Sequence, residues 1–71
     1  MTLTLISGST DIRAIGHNSK TLEMHIHFIS GGLYAFYNVP ISLYGQLMNA
    51  PSKGKFFHQH IRGRYGDTKI S

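Results

Sequence analysis

The residues with the clearest chemical potential lie together at Ser52-Lys53-Gly54-Lys55. Ser52 suits a helix N-cap, and a helix begins with unpartnered backbone N–H groups that carry a partial positive charge. Two lysines at such a turn make a seat for phosphate or carboxylate. Arg62 and Arg64 follow, so the segment offers four cations to a phosphodiester backbone or a nucleotide. The competing reading is an ordinary capped helix whose lysines are simply solvated. The longer glycine-spaced loop of the P-loop enzymes is missing, which argues against an NTPase.

Aromatic residues supply a second kind of chemistry. Tyr34 and Phe36 on a strand, with Phe56 and His60 beside the basic segment, are candidates for stacking on bases while the cations hold phosphates. Alternation places Tyr34, Phe36 and Asn38 opposite Leu33, Ala35 and Tyr37, so at least one of these sets must be core.

The histidines and acids point away from catalysis. His25-x-His27 sets two imidazoles on one face of a strand, but a metal needs a third ligand. His58-x-His60 on a helix can contribute only one, so no metal ligands are assigned. Asp11, Glu23 and Asp67 are the only acids and lie in three different segments, which disfavours paired carboxylates and two-metal sites. RNA cleavage by histidines is permitted by His17, His25, His27, His58 and His60, yet no spacing singles it out. The expectation is a protein that is not an enzyme and uses no cofactor.

These side chains need elements to hold them. The segment 11–17 reads as a short strand ended by Gly16-His17-Asn18-Ser19, and Thr21–Phe28 alternates Leu22, Met24, Ile26 and Phe28 against Glu23, His25 and His27. Gly31-Gly32 marks a hairpin, and a third strand follows from Leu33 to Val39. Period 2 then gives way to Leu43, Tyr44, Leu47 and Met48, one face of a helix with Asn38 as its cap and Pro40 in its first turn. Asn49-Ala50-Pro51 breaks that helix, and Phe57, Ile61 and Tyr65 seat a second one drawn over Lys55–Tyr65. The tail 67–71 reads as loose. The fold class is α+β: a three-stranded antiparallel meander with a short extra N-terminal strand, followed by two helices packed on one face.

With 71 residues there is room for one domain, 1–71, with its core at 8–69 and an N-terminal strand or arm at 1–7. A core this small gains from association, and Thr2–Ile6 alternates as an edge strand does, so a homodimer is expected. The net charge of +4 favours anionic partners: a nucleic acid, a nucleotide, or an acidic protein. Absence of cysteine fits a reducing compartment, no run approaches a membrane span, and Met1–Ile6 matches no signal or transit peptide. The expected location is cytoplasmic, with no membrane partner.

Taken in order, Ser9, Ile12, Ile15-Gly16, Tyr34-Ala35-Phe36, Val39-Pro40, Tyr44, Leu47 and Ala50, then Ser52, Gly54, Phe57, Ile61 and Tyr65, form a string that resembles the KTSC domain family. That module ends some lysyl-tRNA synthetases and also stands alone in bacteria and their phages. The resemblance runs from Ser9 to Lys69, and where the family carries Tyr-x-Tyr this chain has Phe36 as the second aromatic. It implies RNA binding, from the association with a tRNA synthetase. A phage setting implies an alternative: an inhibitor of host defence that sequesters a nucleotide signal at a subunit interface or docks on a host nucleoprotein complex.

Overall fold

Alternation in β3 (Glu23–Phe28) sends Met24, Ile26 and Phe28 to one face, and this row is the middle of the protein. The computed structural model describes residues 1–71. On one side β3 pairs with β2 (Ile12–Asn18), which pairs with β1 (Thr4–Leu5). On the other it pairs with β4 (Leu33–Phe36), which pairs with β5 (Asp67–Lys69). All pairings are antiparallel, in the order β1-β2-β3-β4-β5. Two helices, α1 (Ile41–Asn49) and α2 (Lys53–His60), cover one face.

A bulge shapes β2. Regular alternation would point Ile12 and Ile15 to opposite faces, but the register shifts between Ile12 and Ala14. Both isoleucines therefore face the helices and are fully buried, opposite Phe28 and Ile26, while Ala14 turns to the outer face opposite His27. The core closes with Phe36, Val39, Leu47, Phe57 and Ile61.

The sheet has five strands where the sequence reading has three and an extra one. β1 pairs within its own chain, and the tail read as loose is β5, whose Asp-Thr-Lys is short, polar and exposed. Its pairing comes from the backbone: β4 would otherwise present unpaired N–H and C=O groups along its edge. β3 starts at Glu23 because Leu22 is left-handed (φ 61°), held by bonds from its N–H to Asn18 O and from Val39 N–H to its own carbonyl. β4 stops at Phe36, since Asn38 is also left-handed (φ 60°). Asn38 therefore does not cap α1; Pro40 holds that position, without a side-chain bond to the helix. α2 starts two residues before the expected span and ends at His60, and Gly63 (φ 76°) turns the chain back so that Tyr65 packs on the core from outside the helix.

Ser52 caps α2 as expected, its hydroxyl accepting from the Lys55 N–H. His17 donates from Nε2 to the Val39 carbonyl at 2.7 Å and stacks on Tyr44, with ring centroids 5.0 Å apart, pinning β2 to the entry of α1. On the outer face the N-terminal residues lie over Gly16, where a Cβ would meet both the Leu3 side chain and the Thr2 carbonyl at 2.7 Å.

Two substitutions test this packing. Gly16→Ala is expected to cost about 1–3 kcal/mol in urea unfolding by forcing Met1–Leu3 off the sheet, and an unchanged midpoint would mean that segment is not held there. Ser52→Ala is expected to cost about 1 kcal/mol and Ser52→Asn much less, because asparagine also accepts from the first turn; equal losses would count against the cap.

Candidate functional site

α2 runs beside the loop between β1 and β2, and the two meet at Gly54 and Asp11. A Cβ on Gly54 would lie 3.3 Å from the Asp11 Cβ and 3.4 Å from its Oδ2, so glycine lets helix and loop close on each other. Ser9 fixes the loop by accepting from the N–H groups of Asp11 and Ile12, at 3.2 and 3.0 Å. Asp11 in turn holds His58, whose Nε2 is 3.1 Å from Oδ2, while His58 Nδ1 lies 3.4 Å from Arg62 Nη1. Arginine can only donate, so Nδ1 accepts and the ring proton sits on Nε2, donated to the carboxylate. Both imidazole nitrogens are engaged.

Three depressions follow one another along this seam. The first, of about 190 Å³, lies between Ser7–Asp11 and Pro51–Gly54 at the start of α2. The second is a shallow stretch bordered by Thr10, Gly54, Lys55, His58 and Gln59. The third is a cavity of about 320 Å³ between α2 and the β3–β4 turn, bounded by Phe28, Tyr34, Phe36 and Phe57 and by Asp11, His58, Arg62 and Asp67. Asp11 borders all three, Gly54 the first two, and His58 the last two. They form one trough from the helix N-terminus to an aromatic cavity.

Edge-to-face packing sets the cavity walls. Phe57 meets Phe28 and Phe36 at centroid distances of 5.3 and 5.4 Å, and Phe28 meets Tyr34 at 5.6 Å. Phe36 is 2% exposed and Phe57 4%, so they form the floor, whereas Phe28 and Tyr34 are half-buried walls.

The residues singled out from the sequence divide accordingly. Ser52, Lys53, Gly54 and Lys55 border the start of the trough, and Tyr34 and Arg62 border its aromatic end. Lys55 is exposed and forms no salt bridge, but Lys53 is half-buried and donates from Nζ to the Ala50 carbonyl at 3.2 Å, which closes the end of α1. Arg64 is exposed in the turn after α2, outside the trough. Phe36 is a correction: its burial under Phe57 makes it cavity floor, with no ring face open to stack on. Phe56, half-buried, and His60, exposed, lie against each other, centroids 4.4 Å apart, and border none of these three depressions.

Sequence reasoning missed Asp11, His58, Asp67 and Phe28 as site residues. The His58–Arg62 spacing of four on an exposed helical face was a usable signal. Asp11 lies 47 residues from His58, and nothing local announces that pairing. His25 and His27 do share the outer face of β3; His25 bonds to Glu23, and no three potential metal-ligating side chains cluster anywhere in the structure. No helix is long and apolar enough to cross a membrane.

Comparison with known proteins places this architecture. Residues 8–65 match the KTSC domain family. Segments of the lysine–tRNA ligases of Nostoc sp. and Nostoc punctiforme are 35% and 37% identical over 60 residues, 84% of this chain and 11% of each ligase. The chain thus spans about a tenth of the length of the curated relatives it matches. The crystal structure of a KTSC domain protein from Yersinia pestis superposes with a TM-score of 0.95 at 31% identity, covering 99% of this chain and 97% of that one. Since β2 to β4 and both helices fall within residues 8–65 and the structural match covers 99% of the chain, the chain belongs to the KTSC domain family.

Proposed function

We propose that this domain is a non-enzymatic binding module for a phosphate-bearing ligand, with RNA or another nucleic acid as the favoured class. The observation that carries the reading is the continuity of the trough: a capped helix start with an unpaired lysine opens, along one seam, into a cavity with aromatic walls. α2 has eight residues and is about 12 Å long, so phosphate at one end and a base at the other are within reach of one short strand.

In this reading the first turn of α2 and the Lys55 ammonium receive phosphate, Arg62 adds positive field along the path, and Arg64 adds it from outside the trough. Tyr34 offers an aromatic surface to a base. Lys53 acts mainly as a tie to α1, which distinguishes it from Lys55. Engagement of both His58 nitrogens supports binding in preference to acid–base work. The relatives that contain a similar segment act, by name, on tRNA, which supports the same ligand class.

Titration of a labelled single-stranded RNA over a series of salt concentrations tests the reading. Affinity is expected to fall steeply with salt, and Lys55→Ala to weaken binding and reduce the log–log slope by about one. Lys53→Ala should lower stability more than affinity. Salt-independent binding, or no effect of Lys55→Ala, would remove the phosphate seat. Recovery of a defined small nucleotide, resistant to nuclease, from natively purified protein would move the ligand from polymer to mononucleotide.

A further inference from the structure

We infer that the aromatic cavity is a nucleobase pocket that prefers bases bearing an exocyclic amino group, such as adenine and cytosine, over uracil; for its ligand class this rests on the nucleic-acid reading above. Charge is the first discriminator. The chain has three acidic residues and a net charge of +4, yet two of the three, Asp11 and Asp67, border this one cavity. Asp11 also borders the depressions at the start of α2, so the carboxylate that sets the cavity apart from the phosphate seat, by repelling phosphate, is Asp67.

Hydrogen-bonding capacity narrows the choice. Carboxylate oxygens only accept, so an occupant must bring donors. Asp11 spends Oδ2 on His58 and keeps Oδ1, while Asp67 forms no salt bridge. Amino groups at adenine N6 and cytosine N4 match these acceptors, in the way that acidic side chains read cytosine N4 elsewhere. Uracil has one ring N–H between two carbonyl oxygens, which would face the carboxylates acceptor to acceptor. Arg62, exposed and 3.4 Å from His58 Nδ1, is the cavity's one arginine or lysine and suits a ring nitrogen or sugar oxygen. Phe28 and Tyr34 supply apolar walls for a flat ring, and about 320 Å³ admits a nucleoside.

Nucleosides, which have no phosphate, separate this pocket from the Lys55 seat. Amide chemical-shift titrations of the full chain with adenosine, cytidine and uridine should move signals of Gly31, Tyr34 and Asp67. Adenosine and cytidine are expected to bind about tenfold or more tightly than uridine. Asp67→Asn should shrink that ratio by raising uridine affinity, because an amide can donate to a carbonyl, whereas Tyr34→Ala should weaken all three. Equal affinities, or shifts confined to other residues, would overturn the inference even where RNA binding remains salt-dependent. Spermidine is the control for an amine cage of aromatic rings and carboxylates. Shifts of Tyr34 and Asp67 with spermidine and none with nucleosides would overturn it too. Nucleoside discrimination in a protein whose RNA binding ignores Lys55→Ala would keep the pocket and discard the phosphate seat.

Discussion

Everything in this domain hangs on how a single apolar row on β3 is covered. Met24, Ile26 and Phe28 face a layer of only two short helices, which send down Leu47 and Phe57, joined by Ile61 just after the end of α2. Small domains bury a low share of their surface, so few contacts are spare. Phe57 is the most constrained, wedged edge-on between Phe28 and Phe36. Its position sets the roll of α2 about its own axis. That roll decides which residues reach solvent beside the β1–β2 loop: Gly54, Lys55, His58 and Arg62. The trough is thus the outer edge of the core's own packing.

Asp11 links the two. Its backbone belongs to an ST-type turn closed by Ser9, its carbonyl accepts from Ile29 N–H beside the β3–β4 turn, and its carboxylate crosses to α2 through His58. The Asp11–His58 hydrogen bond is exposed and contributes little stability by itself. What it supplies is orientation: Asp11 and Arg62 are held on either side of one imidazole, with an acceptor and a donor at the mouth of the same cavity.

Elements whose pattern is set by burial were legible in the sequence. The alternation of β3, the helical spacing of Leu43, Tyr44, Leu47 and Met48, and the Ser52 cap all appear in the structure, because each reflects a local rule. β5 was hidden because its pairing depends on the exposed edge of β4 and not on its own side chains. The ends of β3 and β4 were misplaced because Leu22 and Asn38 adopt left-handed backbone that tertiary hydrogen bonds sustain at Leu22, against local propensity. At the site, the basic turn and Tyr34 were readable as residue types. Asp11 and Asp67 were not, since isolated acids acquire a role only when the fold brings distant segments to one cavity. Lys53 shows the reverse limit: a lysine counted as free charge is bonded to a carbonyl.

α1 differs from α2 in lacking a side-chain cap at its start and a base in its last turn; each helix has no acid in its first turn and one buried residue, Leu47 in α1 and Phe57 in α2. The anchors of α1 lie outside its own backbone: the His17–Tyr44 stack and the Lys53–Ala50 bond. Protection from hydrogen exchange should therefore be graded across the domain, with α1 exchanging through a local opening that leaves the sheet intact. No α1 residue borders the trough, so the surface that meets a ligand would persist through such excursions.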